Sequence, residues 1–148
     1  MPTRQTTLLF QVATPGLARR GARAFARRLE SEVAGGRSFC CLITNDEELR
    51  RLNRQFRKKD CATDVLSFPA IERDNVLGEI AISFDQARQQ AAEYRHAVDD
   101  EIAVLMLHGV LHLMGMDHET DRGQMARAEQ KWRSSLGLRA GLIERRSV

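Results

Sequence analysis

The sequence predicts an α+β fold: one sheet of about four strands, helices packed on it, and a buried central helix. Two observations support this prediction. Strand-like and helix-like segments alternate along the chain, and one helical segment, 102–107, is apolar at every position. A chain of 148 residues with 43% hydrophobic residues can form a single core, so we expect one domain over residues 1–148.

The first half of the chain predicts two pairs of a strand and a helix. The expected order is strand 6–12, helix 17–33, strand 39–44 and helix 45–56. The strands are short apolar runs, and the first helix carries apolar residues at helical spacing. Asn45 and Glu48 have the spacing of a capping box, so the second helix is expected to begin at Asn45.

The second half predicts two more strands and three helices. The expected order is strand 64–68, strand 77–83, helix 85–94, helix 98–114 and helix 121–136. Helix 98–114 begins with three acidic residues, which complement the helix dipole, and is then apolar on most sides. It is therefore the predicted central helix. The order of the strands in the sheet does not follow from these patterns.

Three of the four histidines lie within the string HGVLHLMGMDH. His108 and His112 are four residues apart, so on a helix their Cβ atoms lie about 5–6 Å apart on one face. Gly115 then lets the chain turn out of the helix and return His118 to the same point. His108, His112 and His118 are therefore predicted to bind one zinc ion, with a fourth position left for water.

The residue after the first histidine limits the chemistry of this site. The spacing is that of the metzincin protease signature, but Gly109 stands where those proteases have a general-base glutamate. A metalloprotease is therefore only a remote alternative. A metal with a purely structural role, and histidines that bind no metal, both stay open. The fourth histidine, His96, lies in a polar segment and is expected at the surface.

Composition points to a cytoplasmic protein that contacts phosphate. The chain has no long apolar run and no signal-peptide pattern, so we expect no membrane association. Cys40 and Cys41 are expected as one buried and one differently placed thiol. The net charge is +3, but the basic residues cluster, which suits a phosphate backbone. The clusters are Arg19, Arg20, Arg23, Arg27 and Arg28, which could equally form a solvated helix face, and Arg50, Arg51, Arg54, Arg57, Lys58 and Lys59.

Three segments together make the chain similar to a known family. They are LNRQFRKKDCATDVLSFP at 52–69, LGEIAIS at 77–83 and HGVLHLMGMDH at 108–118. Their order and spacing resemble the bacterial YbeY family of zinc-dependent endoribonucleases, also called rRNA maturation factors. Two positions depart from the family pattern. Cys61 and Ala62 replace a Lys-Pro or similar pair, and Glu79 stands where aspartate is common.

The resemblance implies an activity, partners and site residues. The activity is single-strand-specific cleavage of RNA, in maturation of the 3′ end of 16S rRNA and in ribosome quality control. The implied partners are ribosomal RNA and the small ribosomal subunit, while protein partners stay unknown. The resemblance also implies one Zn²⁺ per chain on His108, His112 and His118, and a catalytic role for Arg57.

The chemistry of these residues agrees with RNA cleavage. Cleavage of a phosphodiester concentrates negative charge on the non-bridging oxygens, and a planar guanidinium such as that of Arg57 can contact two of them. No general base is evident. Attack by the 2′-hydroxyl of the RNA would leave a 2′,3′-cyclic phosphate, and attack by zinc-bound water would leave a 3′-hydroxyl and a 5′-phosphate. We favour the second route.

A binding function fits the same residues. A zinc-stabilised RNA-binding factor of ribosome assembly, with little cleavage activity, would also use the three histidines and the basic loop around Arg57. Cleavage of a precursor RNA by the zinc-loaded protein separates the two functions, because only the enzyme cuts it.

Overall fold

The computed structural model describes residues 5–61, 63–71, 75–117 and 120–138, and has an α+β fold with one four-stranded sheet, as predicted. The strands are β1 (Thr7–Phe10), β2 (Ser38–Thr44), β3 (Val65–Pro69) and β4 (Val76–Ser83). The helices are α1 (Arg19–Glu32), α2 (Asp46–Arg57), α3 (Phe84–Glu93), α4 (Val98–Leu113) and α5 (Gln124–Leu136). Each predicted element is present, with its ends shifted by three residues or fewer.

The sheet is mixed, and its strand order is β1-β2-β4-β3. Strands β1, β2 and β4 run parallel, whereas β3 pairs antiparallel with β4. Cys41 of β2 is in register with Leu8 of β1 on one side and with Ile80 of β4 on the other. Strand β3 therefore forms one edge of the sheet, and its outer side is open for a site.

The two faces of the sheet carry different helices. Side chains alternate along a strand, so Ala81 points to the opposite face from Ile80 and Ile82. On the face of Ala81, a small cluster forms with Leu49 of α2 and Leu66 of β3. The other face carries the main core, which includes apolar residues of α1, α4 and α5. Helices α2 and α4 thus pack on opposite faces and both reach the β3 edge.

Helix α2 begins as the capping pattern predicts. The Oδ1 atom of Asn45 accepts a hydrogen bond from the backbone N–H of Glu48 at 2.9 Å. The Glu48 side chain pairs with Arg51, and that hydrogen bond lowers the pKa of the Glu48 carboxyl. Only the forward half of the capping box is therefore present, which is enough to satisfy one N–H of the first turn.

Helix α4 is the central element. It contacts α1, α3, α5, β3 and β4, and twelve of its sixteen residues are buried. It approaches β4 so closely that a Cβ atom at Gly109 would lie 2.9 Å from Cγ2 of Ile80. The Oγ of Ser67 in β3 also donates a hydrogen bond to the carbonyl oxygen of Gly109 at 3.0 Å. Glycine at this position is therefore a packing requirement, because any side chain there would displace Ile80.

Cys40 and Cys41 lie as the sequence predicts. Cys41 is buried, Cys40 is partly buried, and Cys61 is exposed. Burial raises the pKa of the Cys41 thiol above its ordinary value, so this thiol behaves as a small core side chain. Among the residues that the structure describes, no helix is both long and apolar enough to cross a membrane.

The contact between Gly109 and Ile80 predicts a clear effect on stability. Gly109→Ala is expected to lower the free energy of unfolding by about 1–3 kcal/mol, because the added methyl group overpacks the core. In an Ile80→Ala background the same change is expected to stabilise by up to about 1 kcal/mol, since alanine is the better helix former. Urea unfolding of the four proteins measures both values. Equal costs in the two backgrounds would exclude this contact as the cause.

Candidate functional site

Two of the predicted metal ligands converge at the end of α4. The Nε2 atoms of His108 and His112 lie 3.2 Å apart. Two nitrogens bound to a tetrahedral zinc at about 2.0–2.1 Å are separated by about 3.3 Å, so the two rings already have the required spacing. His108 is buried, whereas His112 is half-buried. The two histidines can therefore bind a metal ion from the buried side of the site and leave the solvent-facing side of the ion accessible.

A buried carboxylate holds the first of these rings. The Nδ1 atom of His108 lies 3.0 Å from Oε2 of Glu129 in α5, and both side chains are almost completely buried. A proton on Nδ1 is donated to this carboxylate, which leaves the lone pair of Nε2 directed toward His112. This is the arrangement in which protein carboxylates orient histidine ligands of metals.

Sequence reasoning missed Glu129, although one signal was present. Met125 and Leu136 are buried on the inner stripe of α5, and Glu129 lies on that stripe one turn after Met125. A carboxylate on an apolar stripe needs a partner, because burying an unpaired charge is costly. The sequence predicts Met125, Ala128 and Trp132 as the inner stripe of this helix, and all three pack on the main core, Met125 fully buried and the other two partly buried.

The third predicted ligand, His118, lies outside the described residues. Within 5–61, 63–71, 75–117 and 120–138, no group of three His, Cys, Asp or Glu residues could hold a metal ion. The fit of zinc therefore rests on His108, His112 and the donor chemistry of two neutral imidazoles. Their 3.2 Å separation and the carboxylate on His108 both match a metal site.

The two histidines face a cleft of about 460 Å³ at the open edge of β3. Side chains from α2, from β3 and from the end of α4 meet there. Arg57 and Lys59 bring positive charge to the same cleft as His108 and His112. The remaining lining residues are Asn53, Cys61, Thr63, Asp64, Val65, Leu66, Ser67, Pro69, Gly115, Met116 and Asp117. The structure thus brings together three of the four predicted site residues.

A buried asparagine holds the loop that carries these cations. Asn53 of α2 is 4% exposed, and its Nδ2 donates a hydrogen bond to the carbonyl oxygen of Cys61 at 3.0 Å. The backbone carbonyl oxygen of Asn53 accepts a hydrogen bond from the backbone N–H of Lys59. Lys58 ends the helix with a left-handed φ of 56°. These contacts turn the chain back on itself, so Arg57 and Lys59 lie against the cleft.

Arg57 differs from its neighbours in its partners. Arg50 donates a hydrogen bond to Asp60 at 2.8 Å, which lowers the pKa of that carboxyl, and Arg51 pairs with Glu48. Arg57 has no ion pair within the part of the chain that the structure describes, and it is exposed. Its guanidinium is therefore available to an anion in the cleft.

The first basic cluster has a different use. Arg19 and Arg23 of α1 stack over the ring of Phe10 at 4.3 and 4.9 Å, and Arg28 pairs with Glu32. None of the arginines of this cluster lines the cleft. The first cluster is therefore a helix face that packs on β1 and meets solvent, which was one of its two interpretations.

The predicted surface position of His96 is wrong. Its side chain is only 3% exposed, and Nε2 lies 2.6 Å from Oε1 of the fully buried Glu101 in α4. The segment before α4 is polar in sequence, but it folds so that the imidazole covers the carboxylate. A glutamate directly before the apolar run 102–107 was the signal in the sequence for such a partner.

Comparison with known proteins assigns the chain to a family. The pattern of the family described as Endoribonuclease YbeY matches residues 17–137. The chain belongs to this endoribonuclease family. A protein named Endoribonuclease YbeY from Solibacter usitatus is 57% identical over 140 residues, which cover 95% of this chain and 94% of the relative. Another from Koribacter versatilis is 56% identical over 104 residues, covering 70% and 68%.

A solved structure agrees with the fold. The solution structure of a protein from Thermotoga maritima matches with a TM-score of 0.59 and 27% identity, over 88% of this chain and 93% of that one. The segment matched to the YbeY family includes Arg57, both converging histidines and Glu129. The cleft therefore lies within the part of the chain that the family shares.

The contact between His108 and Glu129 predicts a change in metal affinity. Glu129→Gln is expected to weaken zinc binding by about 10–100-fold, because the neutral amide orients and polarises the imidazole less well. Competition with a chromogenic chelator measures this affinity. Glu101→Gln is the matched control, since it alters the other buried glutamate, which contacts His96. Equal zinc affinities of the Glu129→Gln protein and the unaltered protein would contradict a role for Glu129 in metal binding.

Proposed function

We propose that this protein is a zinc-dependent endoribonuclease that cuts single-stranded RNA, and that it acts in the cytoplasm on the 3′ end of 16S rRNA and in ribosome quality control. One observation carries the proposal: Arg57 and the converging His108 and His112 line the same cleft. A metal centre alone would suit many hydrolases. Arg57, which has no ion pair among the described residues, adds to this cleft the cation that a phosphodiester substrate requires.

The residues of the cleft have separable tasks. His108, oriented by Glu129, and His112 would hold the zinc together with His118. When bound, zinc supplies a Lewis acid that lowers the pKa of a water molecule and polarises a phosphate oxygen. Arg57 contacts the non-bridging oxygens of the phosphate, and Lys59 adds positive charge along the RNA backbone.

The position of the protease glutamate cannot supply a base here. The space in which a side chain at Gly109 would start is filled by Ile80. The proton of the nucleophile, whether this is a water molecule or the 2′-hydroxyl of the RNA, must therefore go to another group. The missing carboxylate and the YbeY family membership both count against the metalloprotease alternative.

The metal ligands give the first test. His112→Ala is expected to abolish zinc retention and cleavage of a 16S rRNA precursor, while binding of the same RNA survives on the basic loop. Metal analysis, end mapping of the products and a binding titration measure the three properties. Chelator-treated unaltered protein serves as the control and should recover cleavage when zinc is added.

The outcome of this test separates the two candidate functions. If the zinc-loaded, nuclease-free protein binds the precursor but leaves it uncut, the enzyme proposal fails and the RNA-binding assembly factor replaces it. The ends of any product identify the nucleophile: a cyclic phosphate indicates the 2′-hydroxyl, and a 5′-phosphate indicates water.

Arg57 gives the second test. Arg57→Ala is expected to keep the fold and the zinc but to lose about 10²–10³-fold in cleavage rate, as when one donor to a developing oxyanion is removed. Arg54→Ala is the matched control, because Arg54 is an exposed arginine of the same helix that does not line the cleft. Equal rates for the two variants would remove Arg57 from the mechanism.

A further inference from the structure

The last turn of α2 exposes a phenylalanine beside the cleft. Leu49, Leu52 and Asn53 form the face of α2 that packs toward the sheet, and Phe56 continues this face. Phe56 is nevertheless 59% exposed. The ring lies in the last turn of α2, beside β3, the edge strand of the sheet. The helix therefore ends in an apolar ring that is open to a ligand.

A second aromatic residue fixes the position of this ring. Phe56 and Phe68 of β3 meet edge to face, with ring centroids 5.4 Å apart and an angle of 66° between the planes. Phe68 is half-buried against the cluster of Leu49, Leu66 and Ala81. Phe56 is therefore held by a partner that the core holds in turn. Stacking of a flat ligand on Phe56 therefore costs little side-chain entropy of the protein.

The aromatic pair lies at the rim of the candidate active cleft. Arg57 follows Phe56 directly in the chain, while Ser67 and Pro69 flank Phe68, and all three of these neighbours line the cleft. The chain continues from Arg57 into Lys58 and Lys59, all exposed. The rim therefore combines an aromatic surface with three consecutive cations.

This combination is suited to binding a single-stranded nucleic acid. Cations of a groove follow the phosphates, whereas exposed rings stack on the bases, which have π-faces whatever their identity. A protein partner could also cover Phe56, but three adjacent cations favour a polyanion, and the nearby Asp60 is already held by Arg50. The charge of the rim thus selects RNA over a protein surface.

We propose that Phe56 stacks on an RNA base next to the nucleotide whose phosphate Arg57 contacts, and so contributes to the preference for single strands. A base inside a duplex is stacked on both sides and cannot reach this ring. The inference rests on the proposed RNA cleavage at this cleft. It assigns Phe56 to substrate positioning and gives it no part in bond cleavage.

Single-turnover kinetics with zinc-loaded protein in excess over a short single-stranded RNA tests the proposal. Phe56→Leu keeps an apolar side chain but removes the π-face. We expect it to raise the half-saturating protein concentration about 10-fold and to leave the maximal cleavage rate within about twofold. Phe56→Trp should match the unaltered protein or bind more tightly. Tyr94→Leu is the control, because it removes an exposed aromatic ring whose chain neighbours do not line the cleft, unlike those of Phe56.

Two further measurements make the test specific. RNAs that lack one base at each position in turn should show one position where base removal weakens the unaltered protein about 10-fold and the Phe56→Leu protein hardly at all. Photocrosslinking with 5-iodouridine at that position should modify the tryptic peptide 55–57. Thermal unfolding confirms that each variant is folded.

The outcomes distinguish this proposal from the function on which it rests. If the unaltered protein cuts RNA and the Phe56→Leu protein has the same half-saturating concentration, the stacking proposal is wrong and the cleavage proposal stands. The exposed ring of Phe56 is then assigned to contact with a protein partner. If no RNA is cut but the crosslink to 55–57 forms, stacking holds and the cleavage proposal fails. Absence of both the crosslink and the position-specific effect overturns stacking regardless of cleavage.

Discussion

Helix α4 lies close to the sheet because position 109 has no side chain, and the site depends on this approach. Ile80 fills the space where a Cβ would start, and the carbonyl oxygen of Gly109 comes within hydrogen-bond distance of Ser67 on the edge strand. At this depth His108 is buried beside α5, and His112, one turn later, reaches the cleft. The same histidine spacing in metzincins carries a glutamate between the ligands, so here the intervening residue serves packing instead of proton transfer.

Two histidine–carboxylate pairs hold the buried helix in position. Glu101 in the first turn of α4 contacts His96, and His108 in the third turn contacts Glu129 of α5. Each carboxylate is buried and would be costly without its partner. The two pairs make the same interaction but have different roles. The pair at the start joins α4 to the turn after α3, whereas the pair near the end orients a ring whose second nitrogen faces the cleft.

Local patterns in the sequence were enough to predict the elements, the cap at Asn45 and the convergence of His108 with His112, because each depends on residues a few positions apart. The strand order and the role of Glu129 were not predictable in this way, because they depend on contacts between residues distant in sequence, such as the 21 positions that separate His108 from Glu129. The burial of His96 was missed although its partner, Glu101, is only five residues away. The placement of Arg57 at the cleft followed from family resemblance, since composition alone made it one arginine among many.

The loop that carries Arg57 is held by backbone groups, which explains how it tolerates its departure from the family pattern. Asn53 contacts the carbonyl oxygen of Cys61 and the N–H of Lys59, and every residue except proline offers both groups. The Nδ2 atom of Asn53 also lies 3.5 Å from Sγ of Cys61, so a change of side chain at 61 removes that contact and leaves the two backbone contacts. Glu79 is similarly exposed on β4 and takes no part in the cleft lining. The histidine side of the site, by contrast, is fixed by side chains, so substitutions there act directly on its geometry.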